Sequence, residues 1–291
     1  MIEKNSLSDK IFMLIIYTLV TIIAITCLYP MLHVLFASVS DPVQLLSHSG
    51  VLLWPKGFSI EGYRVVLQNP NIGIGYRNTA FYVIIGTLIN MLFTTMGAYA
   101  LSRKGYMFKR FITFAIVFSM YFSGGLIPNY LLVRNLGMNN TRWALILPGA
   151  IATWNLIVMK TSFQHISPSL EESAKIDGAN DFVVLFRIFI PVAKATLAVM
   201  ILFYAVGHWN SWFNAMIYLR ERSKFPLQLF LREILIANAT AGNTSDDVDV
   251  YLLEEIIKYA TIIISTVPIL CIYPFVQKYF MSGVMLGSLK E

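Results

Sequence analysis

Six apolar runs, each close to the length that carries a helix across a bilayer, constrain this chain more than anything else in it. They lie near 11–37, 78–102, 111–133, 143–163, 192–214 and 257–278. A hydrocarbon core of ~30 Å takes about 20 apolar residues in a helix. In lipid every backbone N–H and C=O must find its partner inside the protein, so helices are the element that fits. The runs predict an all-α integral membrane protein with six transmembrane helices.

Composition agrees. Charged residues are 13% of the 291 and hydrophobic residues 57%. That charged share is about half the ~25% of a soluble domain. Mean hydropathy is +0.65. The net charge of +6 does not form one patch. The basic residues sit between apolar runs, which argues against nucleic acid as a partner. Cys27 and Cys271 fall inside apolar runs without metal-like spacing. They read as small packing residues.

Orientation follows from the loops. Lys4 and Lys10 precede the first run, and Arg103, Lys104, Lys109 and Arg110 sit between the second and third. Six alternating helices put both groups on one side, and the positive-inside rule makes that side cytoplasmic. The loop after the third run carries only Arg134 and Arg142. Both termini are then cytoplasmic. The first run extends from Ile11 through Phe36, longer than the ~7–15 residues of a secretory core, so it reads as an uncleaved span. Three long connections remain: 38–77 outside, rich in proline and glycine, 164–191 inside, and 215–256 outside.

The stretch Ser167-Pro168-Ser169-Leu170-Glu171-Glu172-Ser173-Ala174-Lys175-Ile176-Asp177-Gly178-Ala179 has a clear local grammar. Ser167 before Pro168 reads as an N-cap with proline at the first helical position. Ser169 with Glu172 is an alternative capping box. Glu171 and Glu172 complement the positive end of the helix dipole. Ser173 and Ala174 give a smooth face, and Gly178 is placed to end the helix in the left-handed conformation. A second helix follows from Asp181, with Phe182, Leu185, Phe186 and Phe189 on one face and Pro191 at its end. Two short helices around a glycine turn resemble a docking element; a plain solvated loop is the competing reading.

This segment resembles the EAA loop of ABC importer permeases. Glu172-Ser173-Ala174, then Asp177-Gly178-Ala179, then Phe186, Ile188 and Pro191 follow the pattern, with Ser173 where alanine is usual. Further stretches are similar to the sugar-importing branch: Tyr76-Arg77-Asn78-Thr79, Ala98 to Arg103, Gly124 to Tyr130, Trp209 to Trp212 and Gly283 to Ser288. The likeness covers roughly 73–291 and is strongest to the smaller, maltose-type permease of a heterodimeric type I pair. It implies a permease domain over 73–280, with an N-terminal helix and external loop at 1–72 and a cytoplasmic tail at 281–291. It implies that Glu171, Glu172, Ser173, Ala174, Asp177, Gly178 and Ala179 dock a cytoplasmic ATP-binding subunit dimer. The other implied partners are a second homologous permease, an external solute-binding (lipo)protein, the bilayer, and a sugar or oligosaccharide. The setting is a bacterial plasma membrane. The external loop 215–256 would reach into the binding protein, with Ile234 to Asp249 as its tip; a disordered connector is the competing reading.

Polar residues at membrane depth usually face the bundle interior or a water-filled path. Asn90, Asn155, His208, Asn210 and Asn214 are such residues, and Ser123-Gly124-Gly125 with Pro128 breaks the third run. Asn90, Gly124, Gly125, Asn155, Trp209 and Asn210 are therefore the candidate solute path, with Tyr121, Tyr130 and Trp212 as further aromatic faces. The competing reading makes Asn90 and Asn155 interhelical glue and the tryptophans interfacial anchors.

No phosphate-binding G-x-x-x-x-G-K-[ST] occurs, so ATP hydrolysis belongs to a partner. No catalytic set, metal cluster or cofactor motif is legible. Two alternatives stand: an ABC permease for a non-carbohydrate solute, and a secondary transporter. The second calls for an internal repeat and ionisable residues at the midplane, and neither is evident.

Overall fold

A computed structural model describes residues 7–103, 107–241, 256–272 and 274. The described residues are helical and irregular, without strands. They fall into two compact units, one from 1–69 with 233–266, the other from 70–232 with 267–291.

The first unit holds α1 (Leu7–Ser38), α2 (Pro42–Ser47) and α3 (Glu61–Gln68). Helix α1 is exposed over most of its apolar length. Its hydroxyls are satisfied within the helix: Thr18 donates to Leu14 O (2.8 Å) and Thr26 to Ile22 O (2.9 Å). Such back-bonding lets threonine sit on a face turned to lipid. The turn-rich segment after α1 is held by local hydrogen bonds. Asp41 caps α2 through the N–H groups of Val43 and Gln44, and the Ser38 and Tyr63 hydroxyls lie 2.7 Å apart. Gly62 is needed for space, because a Cβ there would lie 2.9 Å from Ile256 O.

The second unit is built on α4 (Pro70–Ser102), a 33-residue helix that begins eight residues before the expected span. It contains a π-helical turn at Tyr82–Gly86. Then come α5 (Lys109–Tyr121), α6 (Leu126–Asn135), α7 (Trp143–Ile146), α8 (Thr153–Gln164), α9 (Pro168–Ile176), α10 (Asp181–Val192), α11 (Lys194–Trp209) and α12 (Phe213–Tyr218). The chain continues in α13 (Leu227–Ala241), which belongs to this unit up to Arg232, and in an apolar helix α14 (Ile256–Ile272), which belongs to it from Val267 on.

Only α1 and α4 are long and apolar enough to span alone; the bent pairs α5–α6 and α10–α11 raise the number to four among the described residues. The expected runs therefore do not each become one straight helix. The third bends by 116° at Phe122–Gly125, where Gly125 takes φ +87°. That break is the one expected from Ser123-Gly124-Gly125. The fourth, expected as continuous over 143–163, is split between α7 and α8. Pro148-Gly149 is the local reason, since proline lacks the N–H and glycine favours a turn. Helices α10 and α11 meet at 88°, with Ala193 at the bend.

Two apolar cores hold this unit. One joins Ala98, Tyr99, Leu156, Met159, Phe163, Val184, Leu185, Phe189 and Met200. The other joins Tyr82, Val133, Ile146, Ala215, Tyr218, Phe225 and Phe230. The thiols Cys27 and Cys271 are both exposed, so they do not pack within this chain as expected.

The segment expected as one long external loop begins as ordered structure. Asn78 donates to Ser223 O (2.8 Å) and Phe225 O (3.0 Å), Tyr82 to Lys224 O (2.7 Å), and Leu227 N–H to Thr79 Oγ1 (2.8 Å). A Cβ on Gly75 would lie 2.9 Å from the Leu227 Cα, so glycine permits this close crossing. Ile234 to Ala241, half of the expected tip, belongs to α13. Residues 242–249, like Lys4, Lys104 and the tail 281–291, lie outside the described residues.

Candidate functional sites

The first candidate site is the helix-turn-helix of α9 and α10. Ser167 occupies the N-cap of α9 with Pro168 next. Its hydroxyl pairs with Ser169 Oγ (2.8 Å) and caps no backbone N–H. The capping box from Ser169 does not form, because the helix starts at Pro168, two residues before the start that an N-cap at Ser169 needs. Gly178 closes α9 at φ +83°, and a Cβ there would meet no atom of the described residues within 4 Å. Glycine is there for its backbone freedom, which a Cβ would restrict at a cost of about 1–2 kcal/mol. Asn180 then caps α10 by accepting from Val183 N–H (2.9 Å).

The face of α10 is divided. Leu185 and Phe189, with Val184, enter the core, while Phe182 and Phe186 stay exposed. The expected single apolar face is therefore half root and half surface. Phe189 packs edge-on against Tyr99 (5.2 Å) and Phe163 (5.5 Å). On α9, Glu172, Ser173, Asp177 and Gly178 are exposed, whereas Ala174 and Ala179 pack on the core. Ile176, 87% exposed, projects at the turn. Pattern reading passed over Ile176; an isoleucine on the polar side of a helix otherwise rich in charge was the available signal.

A charged network ties α9 to the end of α4. Arg103 bonds Glu171, and its guanidinium lies 4.3 Å from the Phe189 ring centre and 5.0 Å from that of Tyr99. Lys175 reaches Glu171 (2.8 Å) and Asp181 (3.5 Å), and Tyr99 OH donates to Asp181 (3.2 Å). Burial alone would raise the Glu171 carboxyl. Hydrogen bonds from Lys175 and Arg103, with their charges, outweigh it and hold the group below its ordinary range. The same bond to Glu171 pushes the Lys175 ammonium up. Arg103 counted in the sequence as a loop charge and as the end of the Ala98 to Arg103 stretch, and its stacked position depends on Phe189, 86 positions later.

The second candidate site is a cavity of about 830 Å³ lined by α4, α8, α11 and the α7–α8 break. Asn90, Asn155, Trp209 and Asn210 all line it, together with His208 and Asn214. Gly124 and Gly125 do not; they stay at the α5–α6 bend, exposed.

Asn90 is fully buried and spans three elements. Its amide nitrogen donates to Gly149 O (2.7 Å) and Ala150 O (3.0 Å). Carbonyls only accept, so the Asn90 oxygen must face His208 Nε2 at 2.7 Å, and that nitrogen carries the proton. Gly86, in the π-helical turn, makes room for the ring: a Cβ would lie 2.4 Å from His208 Nε2. Tyr204 OH accepts from Ala152 N–H (3.1 Å) and pairs with Thr94 (2.7 Å). The non-helical backbone at 149–152 thus finds its partners inside the protein, the condition for such backbone away from water.

No family model matches the chain. It is 38% identical over 286 residues to the polygalacturonan/rhamnogalacturonan transport system permease protein YtcP of Bacillus subtilis (strain 168), covering 98% of this chain and all of that protein. It is 40% identical to Protein LplC of the same organism, over 92% of this chain and 90% of that one. Among solved structures, a bacterial ABC transporter involved in the import of the acidic polysaccharide alginate superposes with a TM-score of 0.84. The two are 35% identical, over 94% of this chain and 98% of that one. A chain of the bacterial alginate ABC transporter, solved with alginate pentasaccharide-bound periplasmic protein, shares the fold at 15% identity and a TM-score of 0.58.

Proposed function

This chain belongs to the permease subunits of ABC transporters, and on that premise we propose that it is one membrane subunit of an importer for a sugar or oligosaccharide. The YtcP permease and the alginate transporter that it resembles are named for carbohydrates, and its own cavity offers amides beside Trp209, the groups a sugar ring uses. The chain crosses a bacterial plasma membrane six times, with both termini cytoplasmic. Broken helices supply the spans that straight ones do not. The permease domain covers 73–280, after an N-terminal segment at 1–72 and before a tail at 281–291.

The observation that carries the reading is the α9–α10 element. It is rooted by Val184, Leu185 and Phe189 and leaves Glu172, Ser173, Asp177 and Gly178 at the surface. Glu171, Glu172, Ser173, Ala174, Asp177, Gly178 and Ala179 form the coupling helix that docks a cytoplasmic ATP-binding dimer. Exposed Ile176 and Phe182 supply apolar anchors. Movement of the ATPase passes through Glu171 and Arg103 into α4, and through Phe189 into the core. A second permease completes the pathway, and an external binding protein delivers the solute. Asn90, Asn155, Trp209 and Asn210 line the path on this subunit, with Gly124 and Gly125 at the bend before α6. ATP hydrolysis resides in the partner.

The experiment is copurification of the ATPase subunit with Ile176→Asp, alongside sugar uptake by the assembled importer. Loss of both with retained membrane insertion is expected. Normal assembly and uptake overturn the docking assignment, and uptake of a non-carbohydrate solute instead overturns the sugar assignment.

A further inference from the structure

We propose that the segment from Pro42 to Ile60 is a strap lying in the outer headgroup layer of the bilayer, with lipid as its partner. The inference rests on α1 spanning the membrane with its N-terminus inside. It goes beyond the importer reading, which leaves this segment as an external loop.

The depth follows from α1. Asp9 and Lys10 mark its inner end, so the hydrocarbon core is counted from Ile11. A core of ~30 Å takes about 20 residues at ~1.5 Å each, which ends it near Pro30. Met31 to Ser38, the rest of the helix, then crosses the outer headgroup layer. The strap is tied to this part of α1. Leu52 N–H donates to Tyr29 OH (3.2 Å), at the edge of the core. The Trp54 ring lies 6.1 Å from that of Phe36. Lys56 N–H donates to Ser40 Oγ (3.0 Å), Ser59 N–H to Val39 O (3.0 Å) and Asp41 N–H to Lys56 O (2.9 Å). A chain that folds back along a spanning helix to the level of Tyr29 is at membrane depth. Its backbone groups find these partners in protein, as a lipid neighbour requires.

The side chains match that level. Leu52 is 1% exposed and roots the strap, while Val51, Leu53, Trp54, Phe58 and Ile60 are 54–79% exposed. They continue the apolar surface that α1 carries up to Met31 and Leu35. From Pro42 to Ile60, Lys56 is the single Asp, Glu, Lys or Arg. Soluble domains carry roughly one such residue in four, so a strap facing water would hold several. Tryptophan favours the headgroup level, where its ring meets hydrocarbon and its N–H meets polar groups. The Lys56 stem is long enough to carry its ammonium to a lipid phosphate.

The test uses the assembled importer in nanodiscs of phosphatidylcholine brominated either near the headgroup or near the chain end. The Trp54 component is the emission lost in Trp54→Phe. Bromine near the headgroup is expected to quench it by roughly half or more, and bromine near the chain end by less than about a fifth. Quenching by aqueous acrylamide with none from either lipid places the strap in water and overturns the proposal. Quenching by none of the three places it under protein, such as the paired permease, and overturns it equally. Equal or stronger quenching by the deep bromine overturns the headgroup placement. Should Trp54→Phe fail to assemble, the emission gained in Phe58→Trp decides by the same criteria. The other tryptophans of the importer report separately: if neither bromine position quenches any of them, the spanning reading falls, and the strap with it.

Discussion

The coupling element and the cavity are held by opposite kinds of bond. At α9, charges do the holding: Arg103, Glu171, Lys175 and Asp181, with side chains 15–67% exposed. At the α7–α8 break, neutral groups do it: Asn90, His208, Thr94 and Tyr204, most of them buried. The difference follows from water. A charge near solvent keeps part of its hydration and costs little to place. A charge in the interior loses it, so amides and hydroxyls replace ions there. The comparison also separates two mechanical roles. Under the proposed docking, the rim network yields when a partner pulls, while the amide network stays satisfied throughout.

Substitutions at four positions sharpen or break that contrast. The largest effect is expected from Asn90→Leu. It leaves the Gly149 and Ala150 carbonyls and the His208 N–H without partners, at about 1–3 kcal/mol each before relaxation. Thermal unfolding of the purified importer should show a loss of roughly 4 kcal/mol. A loss below about 1 kcal/mol would mean that the break does not depend on Asn90.

Arg103→Leu comes next, at about 2 kcal/mol, because its partly buried bond to Glu171 and its stacking on Phe189 both vanish. It also carries a pH signature. The Glu171 carboxyl titrates below its ordinary value of 4.5 in the folded protein. Its contribution is therefore whole above that value and is lost as pH falls through the folded one. In Arg103→Leu the carboxyl titrates higher, so acid titration of stability should show the loss setting in at higher pH. An unchanged profile would remove Arg103 from the network.

Gly178→Val places a branched side chain at φ +83° and should cost about 1–2 kcal/mol locally. Because a Cβ there meets no atom of the described residues within 4 Å, the expected damage lies in ATPase copurification more than in unfolding. Gly178→Asn, which tolerates the conformation, should recover most of it. Equal behaviour of the two variants would shift the explanation from backbone to surface contact. The smallest effect is expected from Arg64→Ala, whose pair with Glu61 is exposed on both sides. A change within about 0.5 kcal/mol, read in the same unfolding assay, sets the floor for the others. A larger one would contradict the role given to solvent.

Much of the coupling element was legible because its rules are local. Pro168 starts a helix and Gly178 ends one, whatever surrounds them. The division of the α10 face was not legible. Phe182, Leu185, Phe186 and Phe189 share an arc, and only the position of α4 and α8 decides which half is buried. In the cavity, Asn90, Asn155, Trp209 and Asn210 stood out as polar or amphipathic groups within apolar runs. Their assembly around one space depends on the break at Pro148-Gly149, which hydropathy averaging passes over. The same averaging merged α7 with α8 into one span and kept α10 and α11 apart only through Pro191.

By itself the sequence determined that this chain is a helical membrane protein with a capped, glycine-turned element between its fourth and fifth apolar runs. Spacing, charge and backbone chemistry act over a few residues, so they are written in order along the chain. The tertiary structure decided the rest: which spans bend, which aromatic residues root the coupling element, and which amides share a cavity. Those outcomes depend on hydrogen bonds such as Asn90 to Gly149 and His208, between groups 59 and 118 positions apart. No local preference specifies such a pairing; it exists only once the helices have packed.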